Sequence, residues 1–400
     1  MKVLVIGAGP AGVRCAMRIA DRRPHAEVTL VGEEAAPPYD RVALSRLLAG
    51  EISAAALMTP SLAEIIGKGI SYRQGVRISA IDRAANLAMT SVGEAISYDR
   101  LVLATGSQAL RLPIPGADLP GVLTYRTLDD VTAMMRVAEA GGTAVVIGGG
   151  LLGLEAAAGL AARGMRVTVV HAVEWPMERQ LDAAAGALLT KHMGSRGVDF
   201  AMPARTAAIE GEAHVSGVRL ADGTFIPAQL VVMAVGIKPA IWLAEQAGLQ
   251  TQRGVVVDAA MRTSDPHILA IGECTEHAGR LIGLVAPALE QAEVAAATIA
   301  EGEATWKPGA SSAALKVSGT AVWSAGDITD ASAESITLCD EEEDHYRRLL
   351  LRNNCLVGAV LYGDTADAGF YMDLIASSRP IAPFRANLAL GPAFVPALAP

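Results

Sequence analysis

The octapeptide Val5-Ile6-Gly7-Ala8-Gly9-Pro10-Ala11-Gly12 decides the fold, because its pattern occurs twice in the chain. The second copy is Val146-Ile147-Gly148-Gly149-Gly150-Leu151-Leu152-Gly153. Each copy follows a β-branched run and opens an alanine-rich helical pattern, which leads to a further apolar strand at residues 28–31 and 167–170. This order of strand, glycine-rich turn, helix and strand predicts two Rossmann-type units in one chain.

Both copies carry the spacing Gly-x-Gly-x-x-Gly, in which each glycine has its own physical reason. In the first copy Gly7 permits a tight turn, Gly9 lets the backbone approach a pyrophosphate, and Gly12 lets helix and strand pack closely. The N-terminus of the following helix adds positive potential for an anion. One such match can be only a glycine-rich turn, but two copies in full context predict two dinucleotide-binding sites.

An acid about 20 residues after the third glycine accepts hydrogen bonds from ribose hydroxyls in such units. Glu33 stands there in the first unit, although a surface acid at a strand end is the alternative. In the second unit the nearest acids, Glu174 and Glu178, come slightly later. No Arg or Lys lies between His171 and Glu178 to bind a 2′-phosphate, so NADH is expected over NADPH. His171 is either a nucleotide contact or a solvated histidine at a strand end.

Two strand-to-glycine patterns mark where the chain passes between the units. The first ends at Ala104-Thr105-Gly106, before a Pro-rich linker at residues 112–116, and the second ends at Gly236. An alanine-rich helix is expected from about Pro287 to Ala300, then alternating strands, and finally an irregular, Pro-rich tail. The predicted domains are 1–112 with 237–305, 113–236, a small α+β domain at 306–380, and the tail at 381–400.

Composition bounds the class of protein. The 400 residues are 52% hydrophobic and 19% charged, which excludes a disordered or fibrous chain. A net charge of −9 argues against nucleic acid as a partner. No apolar run approaches the ~20 residues that span a bilayer, and the four cysteines are too scattered for a redox dithiol, zinc or Fe–S signature. A soluble cytoplasmic protein that binds no metal is therefore expected.

The order GAGPAG, ATG, GGGLLGLE and GE resembles the pyridine-nucleotide–disulfide reductases, in the branch without an active disulfide. The sequence is most similar to the reductase region of NAD(P)H nitrite reductase large subunits and nitrate-assimilation electron-transfer subunits, and it also resembles ferredoxin and rubredoxin reductases. The stretches that carry this similarity are residues 38–51, 177–182, 283–292, 315–319 and 358–365. The resemblance implies an α/β fold like that of glutathione reductase, with two Rossmann-like FAD- and NAD(P)-binding domains and a small α+β C-terminal domain.

The resemblance also implies that the first unit binds FAD. Arg41 would contact the pyrophosphate, Arg46 stands where relatives often carry a lysine beside the flavin, and the backbone of Val76 would meet the adenine. The helix near Pro287 would direct its positive end at the flavin pyrimidine edge. The other implied FAD contacts are Gly7, Gly9, Pro10, Ala11, Gly12, Glu33, Ala104, Thr105, Gly106, Gly272 and Glu273.

The second unit would bind the nicotinamide dinucleotide, and the similarity places the acid Glu155 near the nicotinamide. The alternative for Glu155 is an acid favoured at a helix N-terminus by the helix dipole. Arg46 and Glu155 are the candidates for catalytic roles. The implied nucleotide contacts are Gly148, Gly150, Leu151, Leu152, Gly153, Glu155, His171 and Gly236.

In such enzymes hydride passes from the nicotinamide to the flavin, and the protein positions the two rings. Because no cysteine lies between Cys15 and Cys274, disulfide and peroxide chemistry are disfavoured. Electrons would go to a separate Fe–S or heme/siroheme protein. In the first interpretation this acceptor belongs to a nitrite or nitrate reductase system, and in the second the chain is a ferredoxin or rubredoxin reductase. A third interpretation, of a different class, is an NADH-sensing flavoprotein module. The oligomeric state and the acceptor are not encoded in any motif.

Overall fold

The structure is a computed structural model that describes residues 1–395, except for residues 282, 303, 308, 310, 311, 318 and 341. Among these described residues, none of the helices combines the length and the apolar character needed to cross a bilayer.

The N-terminal part of the chain alternates helices with short strands. Its elements are β1 Lys2–Ile6, α1 Pro10–Arg22, β2 Glu27–Gly32, α2 Leu44–Leu48, α3 Leu62–Gly67, β3 Ser71–Gln74, β4 Ile78–Asp82, β5 Leu87–Thr90, β6 Ala95–Ser97, β7 Arg100–Leu103 and β8 Ser107–Ala109.

The middle part contains the second copy of the glycine motif. Its elements are β9 Val122–Thr124, α4 Leu128–Glu139, β10 Thr143–Ile147, α5 Leu151–Ala162, β11 Arg166–Val170, α6 Ala183–Gly194, β12 Val198–Ala201, β13 Thr206–Gly211, β14 Val215–Leu220, β15 Phe225–Pro227, β16 Leu230–Met233 and β17 Ile237–Pro239.

The last part returns to the first sheet and then builds the C-terminal sheet. Its elements are α7 Trp242–Gln246, β18 Val255–Val257, β19 Ile268–Ala270, β20 Thr275–His277, β21 Arg280–Leu281, α8 Val285–Glu301, β22 Ser312–Val317, β23 Thr320–Gly326, β24 Glu334–Asp340, β25 His345–Arg352, β26 Cys355–Tyr362 and α9 Ala368–Ser377.

Two parallel five-stranded sheets form the frame of the molecule. The first has the order β19-β7-β1-β2-β3 and the second the order β12-β11-β10-β16-β9. Their central strands β1 and β10 are buried along nearly their whole length, as apolar strands covered on both faces must be. The expected α/β class is confirmed, and α1 and α5 begin directly after Gly9 and Gly150.

The two passages of the chain between the sheets lie side by side. β8 on the outward passage pairs antiparallel with β17 on the return, so that Ser107 lies opposite Pro239 and Ala109 opposite Ile237. This pairing brings the Thr105 region of the first sheet next to the Gly236 region of the second. The domain limits drawn from the sequence remain a prediction.

The third region is an antiparallel sheet of order β22-β23-β26-β25-β24, with α9 packed on β26 and β23. The buried guanidinium of Arg347 on β25 pairs with Asp364 at 2.5 Å and with Asp367 at 2.7 Å. Burial lowers the pKa of Arg347, but the partners outweigh this effect and the net shift is upward. This ion-pair cluster ties β25 to the segment that leads into α9.

The expectation of an irregular tail after residue 380 is wrong as far as residue 395. The chain forms 3₁₀ helices at Ala382–Leu390 and Pro392–Phe394, and Phe384 and Leu388 are buried against the C-terminal sheet. The apolar side chains at this helical spacing outweigh the prolines, because a proline near a helix start removes only an amide that needs no helical partner. Residues 396–400 lie outside the described part of the chain.

The acidic run at 340–344 connects β24 to β25, and residue 341 lies outside the described residues. Asp340 accepts hydrogen bonds from the amides of Glu342 and Glu343, which fixes the turn. Asp344 lies 3.4 Å from Lys191 on α6. Two acids of the run therefore have structural contacts within the chain.

Candidate functional site

The first glycine turn forms a cradle of bare backbone at the carboxyl end of β1. Gly7 has a φ of +111°, and a Cβ there would lie 2.1 Å from the carbonyl oxygen of Ala104. A Cβ at Gly12 would lie 1.9 Å from the carbonyl oxygen of Gly7. By contrast, no atom of the described residues lies within 4 Å of where a Cβ of Gly9 would stand. The turn is thus packed on one side and open on the other, as a pyrophosphate site requires.

The second glycine turn repeats this geometry at the carboxyl end of β10. Gly148 has a φ of +115°, and a Cβ at Gly153 would lie 1.9 Å from the carbonyl oxygen of Gly148. Gly150 again faces open space, since none of the atoms that the structure describes lies within 4 Å of where its Cβ would stand. Leu151 and Leu152 form the first turn of α5, and the side chain of Leu152 is exposed. The two copies are therefore equivalent in backbone and in openness.

Two helix N-termini meet at Gly272, which has a φ of +78°. A Cβ at Gly272 would lie 3.2 Å from the Cβ of Ala11 in α1 and 3.9 Å from that of Ala288 in α8. Helix α8 begins at Val285, two residues before the expected start, so Pro287 lies in its first turn. The positive ends of both helix dipoles are directed to one place beside the first cradle.

The crossing between the sheets carries a half-buried ion pair that sequence reasoning missed. Arg126 pairs with Glu273, whose Oε2 also accepts a hydrogen bond from Ser107 at 2.7 Å. Thr105 donates to the carbonyl of Ala240 at 2.8 Å, and Gly106 accepts from the amide of the same residue at 2.9 Å. The predicted turn at 104–106 and the predicted Glu273 are thereby brought together.

Glu33 lies at the end of β2 with an exposed side chain, and its carboxylate is 3.2 Å from Arg77. The Arg77 guanidinium in turn lies over the ring of Trp242, 5.3 Å from its centroid. The amide of Val76 donates to the carbonyl of Gly32 at 2.9 Å. Glu33 and Val76 therefore share one edge of the first sheet, and Arg77 and Trp242 are additional residues there that no motif indicated.

Arg41 is engaged with protein groups. Its guanidinium pairs with Glu34 and donates to the carbonyl of Arg126 at 2.7 Å, and it lies over the ring of Tyr39. Tyr39 donates to Glu34 at 2.7 Å and accepts from the amide of Leu128 at 3.1 Å. This network joins the loop after β2 to the start of α4, and a contact of Arg41 with a pyrophosphate remains a prediction.

Glu155 and Arg46 differ sharply in their surroundings. Burial raises the pKa of Glu155 to about 7, and no hydrogen-bond or ion-pair partner of its carboxylate occurs among the described residues. It lies close enough to the buried Tyr125 to raise the pKa of that phenol further. The Arg46 side chain is exposed, and its Nε lies 3.4 Å from Glu51. Glu155 is thus set up to hold a proton, whereas Arg46 is a surface residue in this conformation.

His171 packs directly on the second glycine turn. Its Nδ1 accepts a hydrogen bond from the amide of Gly149 at 3.1 Å, and its Nε2 lies 3.2 Å from Glu178. The amide of Met177 donates to the carbonyl of Gly149 at 2.9 Å, which folds the loop back over the turn. Of the two acids considered in the sequence, Glu178 is therefore the one that the loop returns to the second cradle.

The four cysteines are free thiols. Cys15 and Cys274 are buried, and burial raises the pKa of both. Neither thiol is set up as a nucleophile, since a reactive cysteine is an exposed one with a lowered pKa.

Residues 1–298 match the family model described as pyridine nucleotide-disulphide oxidoreductase. The chain belongs to this family. Members of this oxidoreductase family are flavoproteins that use FAD and pyridine nucleotides. Residues 312–379 match a second model, described as the C-terminal domain of rubredoxin NAD+ reductase.

Two relatives of this oxidoreductase come from Bacillus subtilis (strain 168). Over 383 residues the chain is 39% identical to the assimilatory nitrate reductase electron transfer subunit, and this alignment covers 95% of the chain and 50% of the relative. It is also 39% identical over 383 residues to the NAD(P)H nitrite reductase, covering 95% of this chain and 48% of the relative. The chain thus spans about half the length of these two relatives.

Among solved structures, the covalent putidaredoxin reductase–putidaredoxin complex has the same fold. The TM-score is 0.87 with 28% sequence identity, and the match covers 95% of this chain and 94% of that chain. Together with the family match, this similarity confirms the predicted family and the fold class.

Proposed function

We propose that this chain is an FAD-dependent NAD(P)H:acceptor oxidoreductase without a redox disulfide, which passes electrons from NADH through FAD to a separate redox protein. The observation that carries the proposal is the pair of equivalent backbone cradles, each with open space at its second glycine, Gly9 or Gly150. The chemistry that FAD supplies when bound is acceptance of hydride from a reduced nicotinamide and release of electrons to an acceptor.

The first cradle is the proposed FAD site. Its open turn and the two converging helix N-termini at Gly272 provide a positive, unobstructed place for a pyrophosphate. Glu33 and the backbone of Val76 mark the adenosine end on the edge of the first sheet. The pair of Arg126 with Glu273 holds the crossing turn in place beside it. Arg41 and Arg46 remain predicted flavin-side contacts.

The second cradle is the proposed nicotinamide-dinucleotide site, with NADH preferred to NADPH. Glu178 is held by His171 beside the glycine turn, where a carboxylate accepts hydrogen bonds from a ribose and repels a 2′-phosphate. Replacing Glu178 by Gln should therefore weaken NADH binding and reduce the discrimination against NADPH. The exposed Glu174 provides the matched control, since its carboxylate has no contact with His171 among the described residues. A nucleotide preference unchanged in Glu178→Gln would contradict this assignment.

Glu155 is proposed to lie near the nicotinamide as a proton-holding group. Burial raises the pKa of its carboxyl to about 7, so that near neutral pH it exists in both forms. A carboxyl with such a pKa can balance charge changes at the reacting rings without a fixed counter-ion. The rate of flavin reduction by NADH should therefore change with pH around pH 7 in the wild type, and this change should be absent in Glu155→Gln.

The acceptor is proposed to be an Fe–S or heme/siroheme protein of a nitrate or nitrite reductase system. The names of the two Bacillus relatives support this choice, and the similarity covers 95% of the present chain. The cytoplasmic location expected from the scattered thiols also remains a prediction.

The deciding experiment combines a spectrum with turnover. The purified chain should be yellow or become so when FAD is offered, and anaerobic NADH should bleach the flavin absorbance. Ferricyanide should restore it, and each candidate acceptor protein should be tested for acceleration of NADH oxidation. A polypeptide that carries and takes up no flavin would refute the proposal, and flavin reduction without any acceptor-dependent rate would refute the electron-transfer function.

A rubredoxin or ferredoxin reductase is the alternative within the same chemistry. The match of residues 312–379 to the C-terminal domain of rubredoxin NAD+ reductase, and the fold shared with putidaredoxin reductase, favour it. Rates with rubredoxin and with a [2Fe–2S] ferredoxin separate it from the first proposal. An NADH-sensing module is separated from both by slow flavin reduction coupled to a change in oligomeric state.

A further inference from the structure

One carboxylate at the start of α6 binds two side chains of the C-terminal sheet. The hydroxyl of Tyr346 donates to Oδ2 of Asp182 at 2.6 Å, and the guanidinium of Arg348 lies 3.2 Å from the same oxygen. Tyr346 and Arg348 are two apart on β25, so that both side chains point to one face of the sheet. Asp182 is mostly buried, with 15% of its side chain exposed. This contact is therefore largely shielded from water.

The other carboxylate oxygen of Asp182 caps α6. Its Oδ1 accepts a hydrogen bond from the amide of Ala185 at 3.0 Å, which makes Asp182 the N-cap of α6. Burial and the neighbouring carboxylate raise the pKa of Tyr346, so the phenol stays protonated and remains a donor. Both oxygens of Asp182 are thus used, one to begin α6 and one to bind the C-terminal sheet.

From Asp182 the chain leads straight back to the second glycine turn. The amide of Leu181 donates to the carbonyl of Met177 at 2.8 Å, and the amide of Met177 donates to the carbonyl of Gly149 at 2.9 Å. Met177 is fully buried and has a φ of +55°, so its position is strongly constrained. The next residue is Glu178. A displacement of Asp182 would therefore be transmitted to the residues that fold over the second cradle.

Apolar packing makes this connection stiff. Leu350 of β25 and Tyr362 of β26 belong to the same buried cluster as Leu189 and Met193 of α6. An interface that shares a packed core does not slide freely, because such cores have few alternative arrangements. A displacement of the C-terminal sheet is therefore expected to shift α6 as well.

We propose that Tyr346 and Arg348 are positioning residues for the nicotinamide-dinucleotide site, acting through Asp182 on the loop that carries Glu178. The inference rests on the proposed function of the second cradle. It makes the C-terminal sheet a support for NADH binding, although none of its residues needs to touch the nucleotide.

The test measures the KM for NADH and kcat with ferricyanide as acceptor, using the flavin-loaded protein. Tyr346→Phe and Arg348→Gln should each raise the KM for NADH about 5-fold, the low end of couplings between sites, with kcat and flavin content unchanged. Arg348→Lys, which keeps the charge, should restore part of the affinity. The matched controls are Tyr98→Phe, which removes a buried hydroxyl that has no hydrogen-bond partner within the described part of the chain, and Arg352→Gln, which removes a β25 guanidinium that pairs with Asp330.

The outcomes distinguish a failure of the proposed function from a failure of the positioning role of Tyr346 and Arg348. A wild-type protein that NADH does not reduce would refute the proposed function and, with it, the inference. A wild-type protein that NADH reduces, with an unchanged KM in both Tyr346→Phe and Arg348→Gln, would overturn the inference alone. The inference is also overturned if both variants and both controls lose flavin and thermal stability in parallel, because that pattern indicates general destabilisation. Arg348 is the more exposed of the two positions, so Arg348→Gln remains informative if Tyr346→Phe folds poorly.

Discussion

Replacing Gly12 by Ala adds one methyl group where α1 packs against the first glycine turn. The new Cβ would lie 1.9 Å from the carbonyl oxygen of Gly7, whereas carbon and oxygen normally approach to about 3.3 Å. The first turn of α1 must therefore shift by about 1 Å or more. Overpacking of this kind costs about 1–3 kcal/mol, of which the better helix propensity of Ala returns about 1 kcal/mol. The variant should fold with its stability reduced by up to about 2 kcal/mol.

The effect on the cofactor should be at least as large as the effect on folding. The shifted turn displaces the amides that face the open side of the cradle, and a loss of about 2 kcal/mol of binding raises the Kd for FAD about 30-fold. The assay is titration of the apoprotein with FAD, followed by flavin fluorescence and by the flavin-to-protein ratio after gel filtration. Gly12→Glu, which adds a negative charge to the same place, should yield colourless protein.

The second cradle supplies the matched control. Gly153→Ala creates the same 1.9 Å approach, here to the carbonyl oxygen of Gly148. This variant should keep its FAD and bind NADH more weakly. Wild-type FAD affinity in Gly12→Ala would refute the assignment of the first cradle to FAD. Loss of flavin in Gly153→Ala instead would reverse the assignment of the two cradles.

Three further predictions concern charge and burial. Because burial raises the pKa of Glu155 from 4.5 to about 7, the folded protein holds a proton that the unfolded chain releases, and stability falls as pH rises across that range. In urea unfolding of the apoprotein, the free energy of unfolding should fall with pH by up to about 3 kcal/mol less in Glu155→Gln than in the wild type. An equal pH dependence of stability in both proteins would contradict this prediction. Arg347→Gln leaves two carboxylates without their buried partner and should cost about 3–5 kcal/mol in urea unfolding, against about 0–1 kcal/mol for the more exposed control Arg385→Gln. Comparable losses in the two variants would disprove the special role of Arg347. Arg77→Ala removes the guanidinium that contacts Glu33 and Trp242 and should raise the Kd for FAD about 5-fold, worth about 1 kcal/mol, while Arg73→Ala should not; identical FAD affinities would exclude Arg77 from the site.

The glycine cradles were predictable because their geometry is local. Gly7 and Gly12 are five residues apart, and the contact between them depends only on the turn and the first turn of the helix. The same local rule applies to Gly148 and Gly153, so one pattern met twice predicted two equivalent sites. The start of each helix after the second glycine followed for the same reason.

The groups around the cradles could not be predicted in this way. Arg126 and Glu273 are 147 residues apart, and Tyr346 lies 164 residues from Asp182. No periodicity links such positions, since their contact depends on how the two sheets and the C-terminal sheet pack. The tail shows the same limit: its prolines suggested irregular chain, but burial of Phe384 and Leu388 decided its conformation.

The amino-acid sequence alone determined that two stretches of backbone near Gly9 and Gly150 stay bare and open, because glycine is the residue without a side chain to cover them. Only the tertiary structure decided which charged groups surround those stretches. An ion pair such as that of Arg126 with Glu273 forms when folding brings distant segments within a few ångströms in a medium that screens charge weakly. That proximity is a property of the packed molecule and of no segment within it.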